Sequence, residues 1–275
     1  MNWNRTLTVA RSDLRQLRQS PDFWIPMLAL AAFFFVVVPV VLLFAITHIG
    51  NVPTVQKVAS TLDLLPQRAQ KSIQGFSAGD RTSYALAVYL FAPLAVIVPM
   101  TISTAIGANI LVGEREKGTG EFLAHSPASE REIYLGKLIA SLLPGYLTTL
   151  VGFAIYSVAV NLIVGPRVGG WFFPTADWWV LMLWVVPPFL ALTLSVVLRL
   201  SARVKSAAAA QQASAVVTLP LIILSYAQSS GALFGAGTSG LILGAVAWCI
   251  AAYGLTTGSR AVTRARLLGV DITGV

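Results

Sequence analysis

The densest chemistry in this sequence lies between Gly113 and Lys137, which reads GEREKGTGEFLAHSPASEREIYLGK and carries eight charged side chains from Glu114 to Glu132. Only 11% of the whole chain is charged, and 56% is hydrophobic. Two helix-start signals follow one another here. Gly118 can end an incoming helix and Thr119 can cap a short element holding Glu121, Phe122 and Leu123. Pro127 interrupts that element, and Ser129 followed by Glu132 is a capping-box pattern that places a new helix start just before Ile133. The expected product is a compact protrusion, with Phe122 and Leu123 as apolar knobs inside a charged rim. Such a surface suits the docking of a soluble partner; a solvated connector is the plainer reading of the same charges.

Other chemistry is sparse. The two histidines, His48 and His125, are far apart, and no HExxH, cysteine pair or pair of intramembrane aspartates accompanies them. Cys249 is the single cysteine, which removes an internal disulfide and a cysteine metal cluster. Serines are numerous, but none has a base placed near it in the sequence. There is no GxxxxGK[ST] loop, so any ATP-driven work would need its motor on another subunit. Deep in the apolar runs there is almost no ionisable side chain, which argues against a proton relay.

The elements that must hold the charged turn are membrane helices. Mean hydropathy is +0.76 over 275 residues, and the apolar runs exceed the roughly 20 residues that cross a bilayer as a helix. Six spans are expected, at 23–47, 84–112, 134–164, 179–199, 208–228 and 240–258, giving an all-α polytopic membrane protein with one permease domain over 1–275. An even number puts both termini on one side. With that side cytoplasmic, 14 Lys or Arg lie inside and five outside, four of them in the loop 48–81, as the positive-inside rule requires. The net charge of +8 thus reads as an orientation signal, and the basic residues lack the dense, aromatic-interleaved patch of a nucleic-acid surface.

Ahead of the first span, VARSDLRQLRQSPDFW sets Arg11, Arg15 and Arg18 at helical spacing with Leu14 and Leu17 on another side. The pattern predicts an interfacial helix within 1–22, broken at Pro21, rather than a cleaved signal peptide; a plain basic tail is the alternative. Pro93, Pro99, Pro144, Pro187 and Pro188 predict kinks within spans. Trp171, Trp178 and Trp179 are expected in an aromatic belt at the outer edge. Ala207 to Ala210, followed by Gln211 and Gln212, reads equally as a helix-packing seam or as part of a translocation route.

The string LVGEREKGTGEFLAHSPASEREIYLGKLIASLLPG resembles the region between the second and third spans of ABC-2-type transporter permeases, especially the sodium-efflux-like branch. Glu114, Arg115, Glu116, Gly118 and Thr119 match that family's ERE-x-GT signature, and Ser126, Pro127, Ser129, Arg131, Glu132, Ile133, Gly136 and Lys137 continue it. Gly120 stands where leucine is more usual. The opening VARSDLRQLRQSPDFW resembles the family's amphipathic N-terminal helix, and SARVKSAAAAQQASAVVTLPLI its approach to the fifth span. The resemblance implies the ABC-2 (type V) exporter fold and a half-transporter in the cytoplasmic membrane, with two permease copies, identical or related, joined to two separate ATP-binding subunits that hold ATP and Mg. This chain would hold no cofactor and catalyse nothing. Glu114, Arg115, Glu116, Gly118, Thr119, Glu121, Phe122 and Leu123 would then form the coupling region over 113–132, braced by Arg11 and Arg15. The apolar path is compatible with a lipid, a hydrophobic peptide, a drug-like compound or an ion as cargo. A secondary transporter or channel without an ATPase is the alternative, and a membrane protease or lipid-modifying enzyme is a more distant one.

Overall fold

A computed structural model describes residues 2–49, 60, 67–116, 123, 125–201, 209, 212 and 239–258. Helix α1, Trp3–Gln19, is capped by Asn2, whose side chain accepts from the Asn4 amide at 3.0 Å. It stops at Ser20, in extended conformation, and Pro21 starts the next helix from its first position. Among the described residues, five helices are long and apolar enough to cross a membrane: Pro21–His48, Ala78–Ile110, Glu130–Ile163, Ala176–Ser201 and Gly240–Gly258. These are called the first, second, third, fourth and C-terminal spans below. The expected fifth span, 208–228, and the seam beginning at Ala207 lie outside the described residues apart from Ala209 and Gln212. Short helices Gln67–Ser72 and Gly165–Val168 belong to the connections after the first and third spans.

Burial separates the helices into a centre and a rim. The apolar windows of the second and fourth spans are 67% and 61% buried, against 22% and 17% for the first and C-terminal spans. The rim helices therefore keep faces such as Val37, Val41 and Phe44, or Ile242, Val246 and Ile250, turned outward. A bilayer replaces the missing protein contacts there.

Prolines shape three spans by one mechanism. A proline has no N–H and its ring crowds the carbonyl one turn earlier. Just before Pro39, Pro93 and the Pro187–Pro188 pair, the helix widens to π geometry, over Phe33–Val37, Leu86–Leu90 and Leu181–Val185. Each widening shows an i→i+5 bond: Val38 to Phe33, Phe91 to Leu86 and Val186 to Leu181. Aromatic donors from neighbouring helices reach the carbonyls at two of these sites. Tyr156 Oη donates to Ala87 O at 2.6 Å, Trp178 Nε1 to Val88 O at 2.9 Å, and Tyr146 Oη to Met182 O at 2.9 Å. In lipid such carbonyls have no water to turn to.

Trp178 is accordingly 1% exposed and stacks on Phe153 at 5.6 Å. This corrects the expectation of a belt of three tryptophans. Trp171 and Trp179 are exposed, whereas Trp178 is a core residue because its indole N–H bonds the widened turn. Asn161, near the end of the third span, holds the following loop by accepting from the amides of Phe172 and Phe173 at 3.0 and 3.1 Å. Its amide also donates to Phe173 O.

On the inner side of the same helices, small residues set the spacing. A Cβ on Gly145 would fall 2.1 Å from Ser103 Oγ and 2.9 Å from Pro99 O, and one on Gly107 would fall 2.9 Å from Leu194 Cδ2. Ser103 and Gly107 on the second span, and Ser141 and Gly145 on the third, repeat the small-xxx-small spacing of close membrane helix pairs. Replacing Tyr156 with Phe strands the Ala87 carbonyl. The expected cost is about 1 kcal/mol, seen as a thermal midpoint a few degrees lower in detergent, and a Tyr156→Phe protein melting with the wild type would show that the bond carries no stability.

Candidate functional site

The helix of the second span runs on through Glu116, so Glu114, Arg115 and Glu116 occupy its last turn. Gly118, Thr119, Glu121 and Phe122 lie outside the described residues. Leu123 is partly buried against a cluster of Ala128, Ile133, Tyr134, Leu138, Leu194 and Leu198, which joins the turn to the third and fourth spans. The third span then starts at Glu130 with Ser129 as its cap. Ser129 Oγ accepts from the Glu132 amide at 3.4 Å, and Glu132 Oε2 accepts from the Ser129 amide at 2.9 Å. The capping box is where the sequence pattern puts it.

Helix α1 packs across this helix start. Thr6, Ala10 and Asp13 are its buried residues, a stripe at helical spacing. Gly136 allows the approach, since a Cβ there would sit 2.8 Å from Val9 Cβ and 2.9 Å from Thr6 O. Three polar contacts fix the docking. The Asn2 amide donates to Glu132 Oε1 at 2.5 Å, so one carboxylate completes the cap and receives the start of α1. Arg5 Nη1 donates to Pro127 O at 2.9 Å. Lys137 Nζ donates to Asp13 Oδ2 at 3.5 Å, with the two side chains 1% and 6% exposed.

This last pair is the only buried ion pair among the described residues; the other one recorded, Arg167 with Asp80 at 3.7 Å, is partly exposed and lies toward the opposite ends of the spans. Burial pushes the Asp13 carboxyl above its ordinary range, against the attraction of the Lys137 ammonium and its hydrogen bond. Between α1 and the 123–128 segment runs a groove of about 430 Å³ lined by Arg5, Val9, Asp13, Leu123 and Pro127. Arg11 and Arg15 are exposed and do not line it. Among the described residues, Arg5 and Asn2 make contacts from the start of α1 to the 125–132 segment.

A second polar chain ties the same end of the third, fourth and C-terminal spans. Tyr134 Oη donates to Ser195 Oγ at 3.0 Å, and Ser195 Oγ donates to Gly254 O at 2.9 Å. Arg199 Nη2 donates to Gly254 O at 2.7 Å and also to Thr257 Oγ1. Among the described residues no three of His, Cys, Asp and Glu converge as a metal site would. The arrangement joins helices rather than activating a nucleophile. Sequence reasoning missed Asp13, whose signal was an acid interrupting a basic amphipathic helix, and read Lys137 only as part of the family match, without its partner.

The described residues form an all-α arrangement with several membrane-length helices and a charged, helix-bracketed turn at one end, the architecture of a polytopic membrane protein. The chain belongs to the ABC-2 family of transporter proteins, whose family profile, described as ABC-2 family transporter protein, matches residues 7–262. A comparison with curated proteins returned no significant match.

The Asp13–Lys137 pair can be dissected by a double-mutant cycle. Asp13→Asn removes the counter-ion of a buried ammonium and should cost about 3 kcal/mol. Lys137→Met should cost less, because the Asp13 carboxyl can then take a proton. In that variant the folded-state pKa lies further above the unfolded one, so the folded state holds the extra proton between the two values. Stability from this group is then full below the ordinary Asp range and falls as pH rises through the raised value. Thermal midpoints of Lys137→Met should thus drop from acid to neutral pH, and the Asp13→Asn/Lys137→Met double variant should lose that slope. Additivity of the single variants to within about 0.5 kcal/mol would show that the two groups do not interact.

Proposed function

We propose that this chain is the permease subunit of an ATP-driven exporter. Two copies, or two related chains, would assemble with two copies of a separate ATP-binding subunit that holds ATP and Mg. The observation that supports this reading most directly is the docking of α1 over the start of the third span, beside a charged turn with two apolar residues, in a chain of the ABC-2 family. Glu114, Arg115, Glu116, Gly118, Thr119, Glu121, Phe122 and Leu123 would receive the ATPase. Arg5, Asn2 and Asp13 would link that turn to α1, and Glu132 and Lys137 would pass its displacement to the third span.

The proposal places α1 in the membrane interface, the segment 208–228 as a sixth crossing, and both termini on the cytoplasmic side of the cytoplasmic membrane. Its supports are the balance of 14 basic residues against five across the expected loops and the basic face of α1. Closure of the ATPase pair would shift the spans between two arrangements, and transport requires the cargo to contact those arrangements unequally. A lipid, a hydrophobic peptide, a drug-like compound or an ion fits the apolar path.

Copurification with a separate ATPase tests the assembly. Phe122→Glu/Leu123→Glu should abolish that copurification, and since Leu123 also packs on the Tyr134 cluster, Phe122→Glu alone should weaken it with the thermal midpoint unchanged. Unchanged capture by the double variant would move the docking site elsewhere on the chain. Transport by the isolated chain under an ion gradient, without ATP, would instead establish a secondary transporter or channel.

A further inference from the structure

Where α1 ends at Gln19 and the first span begins at Pro21, the chain turns a corner that the neighbouring helices do not fill. The corner leaves a cavity of about 310 Å³ walled by Leu14 and Leu17 of α1, Phe23 and Met27 of the first span, Ile106 of the second and Pro144 of the third. Trp24 and Arg18 complete the lining, and Arg18 is its only charged side chain. Among the described residues Arg18 makes no ion pair. Arg15 and Arg11 are exposed one and two turns back along the same helix, so the cavity opens beside a cationic strip.

We infer that this notch holds an acyl chain of a resident anionic phospholipid, with its phosphate on Arg18. An apolar cavity offers water no polar partners, and left open it forfeits the dispersion contacts of its walls. In a chain that spans a bilayer, hydrocarbon is the abundant filler at the foot of a span. The guanidinium prefers a phosphate, which it can meet with two parallel hydrogen bonds, and basic residues beside a span favour anionic lipid over neutral lipid. The indole of Trp24 is of the type that settles at the headgroup level. A second copy of a chain with a net charge of +8 would bring more positive charge to this strip, which weighs against a protein occupant of the same kind. The inference rests on the interfacial placement of α1 proposed above and is independent of the ATPase assignment.

The permease, purified from mixed vesicles of phosphatidylglycerol and phosphatidylcholine and mildly delipidated, should retain phosphatidylglycerol in native mass spectra. Arg18→Glu should lower that retention about thirtyfold, as expected for reversing one charge beside an anionic lipid. Leu14→Trp, which fills the notch without altering charge, should remove the retained lipid as well. Equal retention of the two lipids by the wild type would overturn the inference. So would a Leu14→Trp variant that changes oligomer mass while keeping its lipid, since a second copy would then be the occupant. Loss in Arg11→Glu/Arg15→Glu with full retention in Arg18→Glu would also overturn the notch, yet would leave α1 at the interface.

Discussion

The buried contact between Asp13 and Lys137 is the constraint around which one end of this protein is arranged. Removing either partner has a cost, because a desolvated charge that loses its counter-ion costs several kcal/mol unless it can neutralise. The pair spans 124 positions of sequence, so it specifies a single placement of α1 on the third span, in register and in rotation. Gly136 sits one residue before Lys137, where the backbone of α1 comes closest. Glu132 lies one turn earlier and meets the first residue of α1. The ion pair, the glycine and the capping carboxylate therefore form one continuous strip, and a shift of α1 along the third span would break all three.

The two ends of the bundle are joined by different physics. Toward one end, prolines widen the second and fourth spans, and the affected carbonyls accept from Tyr156, Trp178 and Tyr146. Those donors sit on aromatic rings that also pack together, Phe153 on Trp178 and Tyr156 on Phe173, so polar satisfaction and apolar burial coincide. Toward the other end the links are an ion pair, a capping carboxylate and the Tyr134–Ser195–Gly254–Arg199 chain. The hydroxyl and carbonyl links of that chain can exchange partners with modest loss, and the buried ion pair carries α1 and the start of the third span as one body, whereas an interlocked aromatic cluster moves only as a block. The bundle is thus better suited to rearrange at the charged end than at the aromatic end.

What the sequence disclosed was local. Ser129 and Glu132 announce a helix start because the box closes within four residues, and Pro21 announces one because its ring fixes the backbone and its missing N–H is not needed there. Uncharged runs disclose spans because the bilayer imposes a length. The Asp13–Lys137 pair was illegible for the opposite reason: each residue looks like an ordinary interfacial charge until tertiary packing removes its water. Trp178 looked like a belt residue beside Trp171 and Trp179, and only the widened turn at Leu86–Leu90 explains why it points inward. The prolines predicted kinks but not their form: Pro39, Pro93 and Pro187 follow π turns, whereas Pro99 and Pro144 lie inside continuous α-helix. Of the residues expected at the charged turn, Leu123 is partly buried against Tyr134 and its neighbours, a tertiary contact that its place in a charged stretch does not announce.

The third span is the element through which these observations meet. Its 34 residues form one helix, about 50 Å long at the rise of an α-helix, from the capping box at Glu130 to Asn161 and Ile163 at the aromatic end. Midway, Pro144 interrupts its hydrogen-bond ladder beside Gly145, where the second span approaches within contact of a missing Cβ. A long helix gripped polar-side at one end, clamped by aromatics at the other and weakened at its middle bends most readily at that middle. In the proposed transporter, a push on the charged turn would reach the third span through Glu132 and Lys137 and would be resisted at Tyr156 and Asn161. The angle at Pro144 would then be the quantity that changes, and Ser103, whose hydroxyl is buried there without a hydrogen-bond partner, sits where the second and third spans would slide.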